Sequence, residues 1–211
     1  MNQKIEASMK VLLITTLLLN SLFLMCSVIL AEEKKVKELV VVELYPKVKI
    51  ETSMGNIILE LNRSKAPITV GNFLSYVKSG DYNDTLIHRI DINYVIQGGG
   101  YKKNYQEINA KQSIYNESGN GLKNQTGTIA MAREQDPHSA TNQFYFNLND
   151  NDNLDPGRHW GYTVFGSVIE GMEVLEAMSD METEYNEKLD YENFPKKMII
   201  ISKVILLKAE I

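Results

Sequence analysis

Arg89, Tyr94 and Gln97 fall close together in the stretch His88-Arg89-Ile90-Asp91-Ile92-Asn93-Tyr94-Val95-Ile96-Gln97, which runs straight into Gly98-Gly99-Gly100. Arg89 and Gln97 bring hydrogen-bonding groups, and Tyr94 and Val95 bring apolar surface. A site of that composition suits a small apolar group joined to a polar backbone, which describes an X-Pro peptide bond. Rotation about such a bond needs neither a nucleophile nor proton transfer to a leaving group. Its barrier comes from the partial double-bond character of the C–N bond, and the uncatalysed event takes about 10–100 s. A protein accelerates it by binding the twisted bond better than the planar one. In the twisted state the imide nitrogen becomes pyramidal and gains a lone pair, so a cation or N–H donor aimed at it is favoured only in the transition state. Arginine suits that role because it is always charged and carries its donors in a rigid fork. Lowering a barrier of about 20 kcal/mol by five decades takes roughly 7 kcal/mol. One charge-assisted contact does not supply all of that, so fixing the flanking peptide and removing water must contribute.

Other chemistries are poorly supported. His88, His138 and His159 lack the spacing and partners of a metal site. Gln97-Gly98-Gly99-Gly100 lacks the Lys-Ser/Thr of a phosphate loop. Asn149-Asp150-Asn151-Asp152-Asn153-Leu154-Asp155 resembles a calcium loop only at a glance, because no register puts Gly at the sixth position with an acid at the twelfth. Neither metal nor cofactor is expected. Asn62, Asn83, Asn116 and Asn124 each begin a glycosylation sequon, which matters only in a eukaryotic secretory pathway.

The elements that would position Arg89 and Gln97 can be read from periodicity. Val48, Ile50 and Thr52 alternate with polar residues, as do Ile57, Leu59 and Leu61 after Met54-Gly55-Asn56, which predicts a β-hairpin. Pro67 opens a helix, where its missing N–H costs nothing. Val70, Phe73, Leu74 and Val77 follow at helical spacing, and Gly80 closes it. Short strands separated by Gly, Asn and Asp run from Leu86 to Val168. Gly171–Met178 is a second short helical pattern. Met198–Leu207 is a last strand, apolar on both faces at its start and therefore central. Many short strands with two helices suggest a closed antiparallel barrel, since closure removes sticky edges, although pattern alone leaves barrel and sandwich open.

Two further blocks stand beside the Arg89 stretch: Gly127-Thr128-Ile129-Ala130-Met131-Ala132-Arg133 with Ser139-Ala140-Thr141-Asn142-Gln143-Phe144-Tyr145-Phe146-Asn147, and Gly161-Tyr162-Thr163-Val164-Phe165-Gly166-Ser167-Val168. In order and spacing the three blocks resemble the signatures of the cyclophilins, a family of peptidyl-prolyl isomerases, from about Val48 to Leu207. The short loops and the Ala-Met-Ala-Arg wording are more similar to bacterial members than to eukaryotic ones. The resemblance implies a mainly β fold, a closed eight-stranded antiparallel barrel capped by two short α-helices. It implies a catalytic role for Arg89, and for Gln97 a role in orienting Arg89 and bonding the substrate backbone. It also implies a substrate-binding surface of Tyr94, Val95, Ala132, Arg133, Gln143, Tyr145, Leu154 and Tyr162. Tyr94 and Tyr145 stand where the family commonly has Phe, and Val95 where it commonly has Met. A hydroxyl lining an apolar pocket needs a partner. The family's drug-binding Trp falls here on Asn153, so weak cyclosporin binding is expected. The only Trp, Trp160, lies in the loop Pro156–Trp160.

Lys4 and Lys10 precede an apolar run from Val11 to Ala31. A charged n-region before an apolar h-region marks a secretory signal, and the charge order sends the following domain outside. Three fates fit the run: cleavage after Ala31, retention as a membrane anchor, and lipidation at Cys26, the only cysteine. The expected organisation is therefore 1–31 as signal peptide or membrane anchor, 32–47 as linker and 48–208 as the isomerase domain. Residues 1–31 hold two lysines and one glutamate, leaving 20 basic and 26 acidic residues, a net of −6, in the rest. That balance argues against nucleic-acid binding and favours a domain that avoids self-association. One cysteine also excludes an intrachain disulfide.

The leading expectation is an exported isomerase in the cell envelope or periplasm, acting on proline-containing polypeptides and assisting the folding of exported proteins. It would be tethered, if at all, through residues 11–31 or a lipidated Cys26. The alternatives are a peptide-binding or chaperone module of the same fold with little turnover, and a surface-displayed interaction protein. Arg89 beside Gln97 favours the enzyme, because a binder does not require the arginine.

Overall fold

The computed structural model describes residues 20–27 and 43–208. The chain divides into two units, Met1–Val42 and Glu43–Ile211. In the first, residues 20–27 are helical and exposed, with Cys26 a free thiol on the surface. Among the described residues no helix is long and apolar enough to cross a membrane. Most of the predicted export segment, including Lys4, Lys10 and Ala31, lies outside the described residues.

The second unit is a closed barrel with a separate two-stranded sheet formed by Thr183–Asn186 and Tyr191–Pro195. The chain begins with β1 (Lys47–Thr52) and β2 (Gly55–Leu61), the expected hairpin, paired from Lys47↔Glu60 to Thr52↔Gly55. Val48, Ile50, Ile57, Leu59 and Leu61 are its buried residues, as the alternation requires. Upstream, Pro46 and Leu44 offer their carbonyls to Leu61 and Arg63, which ties residues 44–46 onto the barrel. Helix α1 (Pro67–Ser79) has Pro67 in its first turn and ends at Gly80 with φ 73°. Its free N-terminal donors are met by a distant carboxylate: Glu117 accepts from the Ile68 and Thr69 main chain at 3.1 and 2.8 Å and from the Thr69 hydroxyl at 2.7 Å. A carboxylate at a helix N-terminus both satisfies orphan N–H groups and complements the helix dipole.

The remaining strands are β3 (Thr85–Asp91), β4 (Val95–Lys102), β5 (Thr128–Met131), β6 (Phe144–Asn147), β7 (Val164–Glu170), β8 (Thr183–Asn186), β9 (Tyr191–Pro195) and β10 (Ile199–Leu206), with α2 (Met172–Ser179) between β7 and β8. The barrel closes in the order β1-β10-β3-β4-β6-β5-β7-β2. Strand β10 is paired on both sides, to β1 and β3, which accounts for its doubly apolar start. Residues from α1 (Val70, Phe73, Leu74, Val77) and α2 (Val174, Leu175, Met178) enter the same core as the inner strand residues. Its aromatic centre packs Phe73 against Tyr82, Phe144 and Phe165 with centroids 5.1–5.6 Å apart. Gly99 is required there. Its φ is +79°, and an added Cβ would lie 2.7 Å from the Phe144 ring. The β8–β9 hairpin has no counterpart in the sequence expectation, because Glu182, Glu184, Glu187, Asp190 and Glu192 interrupt any apolar alternation there.

Two features of the barrel wall create a second, smaller apolar cluster on its outer face. The first is simple alternation. Ile96, Ile129, Met131, Phe144 and Phe146 join the inner core, so the intervening Val95, Ala130 and Tyr145 form an outer cluster with Leu154 and Val164. The second is an irregularity in β3, where the pairing with β4 shifts between Ile87 and Arg89. Ile87 and Ile90 both reach the inner core, which a regular strand of period two cannot do. The bulge absorbs the extra residue and keeps His88 and Arg89 out of the interior, as bulges beside functional sites do.

Candidate functional site

A row of residues crosses the outer face of four adjacent strands. Arg89 on β3 is directly opposite Gln97 on β4, Gln97 is opposite Tyr145 on β6, and Tyr145 is opposite Ala130 on β5. Directly opposed side chains on neighbouring strands are close enough to interact. The Arg89 guanidinium donates to Gln97 Oε1 at 3.3 Å and to Asp91 Oδ2 at 2.8 Å. Gln97 Nε2 donates in turn to Gln143 Oε1 at 2.7 Å. The Arg89 side chain remains 31 % exposed, so its charge is held in place and still reachable from solvent.

Above this row lies a cavity of about 280 Å³ lined by Arg89, Tyr94, Val95, Gln97, Ala132, Arg133, Tyr145, Leu154 and Tyr162. These are nine of the ten residues singled out from sequence. The tenth, Gln143, bonds Gln97 but lines a neighbouring cavity of about 380 Å³, together with Glu107, Glu134 and Asp136. The floor of the Arg89 cavity is the outer apolar cluster, with Val95, Tyr145 and Leu154 buried and Tyr94, Ala132 and Tyr162 packed at its edge.

The hydroxyls of Tyr145 and Tyr94, two of the three tyrosines that line this cavity, have hydrogen-bond partners. The Tyr145 hydroxyl donates to Asn124 Oδ1 at 2.8 Å. Burial, reinforced by the phenols of Tyr162 and Tyr94, pushes Tyr145 well above its ordinary pKa, so it remains a neutral donor. Asn124 is itself held: its main-chain N–H and side-chain amide donate to Asp155 Oδ1 at 2.9 and 3.1 Å, and Asn147 Nδ2 donates to its oxygen at 3.2 Å. Burial works to raise the Asp155 carboxyl, but the Asn124 donors and Lys123 hold it below the usual value. The Tyr94 hydroxyl accepts from Asn153 Nδ2 at 3.1 Å.

His88, next to Arg89, does not line the Arg89 cavity. It is fully buried, and its ring lies 5.0 Å from Tyr101 and 4.9 Å from Tyr191. Neither ring nitrogen makes a hydrogen bond of good geometry. Burial lowers its pKa to about 4 against a weaker opposing pull from the Leu86 main chain and Gln143. It is therefore a neutral packing residue at physiological pH.

Trp160 does not line the Arg89 cavity. Arg133 separates the two: its Nη2 donates to the Trp160 carbonyl at 2.7 Å while its guanidinium sits 4.4 Å from the Tyr162 ring centroid. Sequence reasoning also missed Asp91 as a holder of Arg89 and Asn124 as the acceptor for Tyr145. Asp91 carried a usable signal, because residues two apart on a strand share a face. Asn124 carried none, since it is 21 residues from Tyr145 and meets it only through the fold.

Chemically, the cavity offers a held cation, a side-chain amide and an apolar floor. That combination fits binding of a five-membered apolar ring beside a polar backbone, with a donor ready for a nitrogen that gains a lone pair.

Comparison with known proteins places these features in a family. Residues 47–205 match the model for cyclophilin type peptidyl-prolyl cis-trans isomerases. The chain is 44% identical over 162 residues to peptidyl-prolyl cis-trans isomerase A of Dickeya dadantii, a match covering 76% of this chain and 84% of that protein. It is 42% identical over 161 residues to peptidyl-prolyl cis-trans isomerase B of Escherichia coli, covering 74% and 97%. Among solved structures it resembles a Cryptosporidium parvum cyclophilin type isomerase crystallised in the presence of the dipeptide Ala-Pro, with a TM-score of 0.64, 25% identity, and coverage of 77% of this chain and 99% of that one.

Proposed function

The chain belongs to the cyclophilin-type peptidyl-prolyl cis-trans isomerases, and from that membership we propose that Arg89 is its catalytic donor and that it serves polypeptides exported from the cytoplasm. The observation that carries the catalytic reading is the row Arg89–Gln97–Tyr145 over a buried apolar floor.

In this reading the proline ring of the substrate rests on Val95, Tyr145 and Leu154, with Tyr94 and Tyr162 at its rim. Ala132 and the main chain of Arg133 hold the peptide that precedes it, and Gln143 extends the polar edge. As the X-Pro bond twists, its nitrogen loses conjugation and becomes basic. The Arg89 guanidinium donates to it in that state alone, which lowers the barrier without strengthening ground-state binding. Gln97 holds the guanidinium in plane and offers its amide to the substrate backbone, and Asp91 fixes the far side of the fork. No covalent bond forms or breaks. The Ala-Pro dipeptide present with the Cryptosporidium structure supports a proline-containing polypeptide as the substrate class.

Export rests on Lys4 and Lys10 preceding the apolar run Val11–Ala31. With residues 44–46 tied onto the barrel, residues 32–43 would then separate it from the membrane by at most about 40 Å when fully extended, a reach suited to newly exported chains. Protease-coupled turnover of a short Ala-Pro peptide tests the catalytic reading directly. Acceleration that disappears in Arg89→Ala is expected, and tight peptide binding without acceleration would leave only a binding module.

A further inference from the structure

Taking the isomerase reading of the Arg89 cavity as given, we infer that the adjoining cavity walled by Arg158 and Trp160 is an additional substrate subsite, which takes an acidic side chain flanking the X-Pro bond.

This cavity measures about 580 Å³ and shares Arg133 with the proline cavity. Its lining includes Arg133, Arg158, His159 and Trp160, and no carboxylate. That is notable in a chain whose net charge is −5. The nearest acids in sequence are committed elsewhere. Glu117 is bound to the N-terminus of α1, Asp155 is held by Asn124 and Lys123, and Glu134 and Asp136 line the cavity beside Gln143. The Arg133 guanidinium donates only to neutral carbonyls, those of Gly161, Glu134, Gln135 and Trp160. Among the described residues neither Arg133 nor Arg158 forms an ion pair with a carboxylate. Two guanidinium groups without counter-charge at a recess are matched by a carboxylate: Arg133, its donors spent on carbonyls, contributes charge, and Arg158 offers the donor fork that a carboxylate fits.

The surface between the two cavities is continuous. Tyr145 on the floor of the proline cavity lies 5.9 Å from Tyr162, Tyr162 carries the Arg133 guanidinium at 4.4 Å, and Arg133 holds the Trp160 carbonyl. Beyond it, His138 stands edge to face with Trp160 at 5.2 Å and with Tyr115 at 5.3 Å. Trp160 is 54% exposed and Tyr115 71% exposed, so this row offers apolar and π surface to a chain lying across it. The loop that carries Arg158 and Trp160 is closed at its neck. Tyr162 N donates to the Leu154 carbonyl at 2.9 Å, and Gly161 approaches so near that a Cβ there would lie 2.3 Å from the Pro156 nitrogen. The recess is therefore formed before any substrate arrives, which reduces the ordering cost of binding.

The test uses the full chain and a set of peptides sharing one Ala-Pro core, with Glu, Gln or Lys placed in turn at each flanking position. At one or more positions Glu should lower KM roughly fivefold relative to Lys, the size expected of a partly exposed charge pair. Because Trp160 is the only tryptophan, the same Glu peptides should shift or quench the intrinsic emission. Arg158→Glu should abolish or invert the preference, and Arg158→Gln should reduce it. Equal KM values for Glu, Gln and Lys peptides would overturn the subsite while leaving the isomerase reading intact. A preference that survives in Arg158→Glu, or that leaves Trp160 emission unchanged, would also overturn it. Absence of turnover for every peptide, the bare core included, would instead overturn the isomerase reading on which the subsite rests.

Discussion

Asn153 donates from Nδ2 to the Tyr94 hydroxyl at 3.1 Å, joining an exposed turn to the rim of the Arg89 cavity. The position where the family resemblance puts a drug-contacting Trp thus carries an amide, and that amide is already engaged in fixing Tyr94. It presents no flat aromatic face to a bulky apolar ligand. Cyclosporin should therefore inhibit this protein weakly, and Asn153→Trp should tighten inhibition by roughly tenfold, the scale of an added aromatic contact. Tight inhibition of the unaltered protein would show that another residue, with Trp160 the first candidate, supplies the missing surface.

Replacing Arg89 by Ala should lower turnover of a short X-Pro peptide by roughly 10²–10³, the scale for removal of one preorganised donor, with the circular dichroism spectrum unchanged. Arg89→Lys should recover little, because a point charge cannot donate to Asp91, Gln97 and substrate in one plane. Asp91→Asn should lower kcat more than it raises KM, since Asp91 holds the guanidinium and does not line the cavity. Full activity in Arg89→Ala would remove the arginine from the mechanism.

Asn124→Ala should destabilise the fold by about 1–3 kcal/mol, the cost of leaving a buried polar group unpaired, because the Tyr145 hydroxyl then has no acceptor. Tyr145→Phe should cost less, since the Asn124 oxygen keeps its bond from Asn147 Nδ2 at 3.2 Å. Urea unfolding of the two variants and the double variant checks the order. No loss in Tyr145→Phe would show that the hydroxyl contributes nothing, and equal losses in the two single variants would overturn the order.

Burial lowers His88 from 6.5 to about 4. Between those values the unfolded chain takes up a proton that the folded chain refuses. Its contribution to stability is thus fully present above about pH 6.5 and is lost as pH falls toward 4. The loss reaches roughly 3 kcal/mol. His88→Phe keeps an aromatic ring between Tyr101 and Tyr191 and removes the titration. The unfolding free energy of the unaltered protein should therefore fall more steeply than that of the variant from pH 7 to pH 4, while carboxylates such as Asp155 titrate alike in both. Parallel curves would show that His88 titrates alike in the folded and unfolded chain.

The proposed export is checked by mass spectrometry of the protein from its natural cell. A mass beginning at Cys26 with added acyl chains identifies a lipoprotein, one beginning at Glu32 a cleaved periplasmic form, and an intact chain in the membrane fraction an anchored one. An intact chain in the cytosol would refute export.

What the amino-acid sequence determined by itself is whatever depends on neighbours along the chain. Alternation over Val48–Leu61 specifies the first hairpin, and Pro67, the Val70–Val77 spacing and Gly80 specify α1, because strand and helix periods are local. The motif residues Arg89 and Gln97 are eight apart, so one hairpin suffices to bring them opposite each other. Three things were decided only by tertiary structure. The bulge between Ile87 and Arg89 turns Arg89 out of the interior, and it arises from the pairing of β3 with β4, which no single-strand pattern encodes. Asn124 reaches Tyr145, and Asn153 reaches Tyr94, across separations of 21 and 59 residues. Such contacts form because barrel closure stacks distant loops at one rim. Trp160 lies across Arg133 from the Arg89 cavity, and Gln143 faces a different recess from the one its neighbours line. Those placements follow from how loops close over the packed barrel, and chain order carries no record of it.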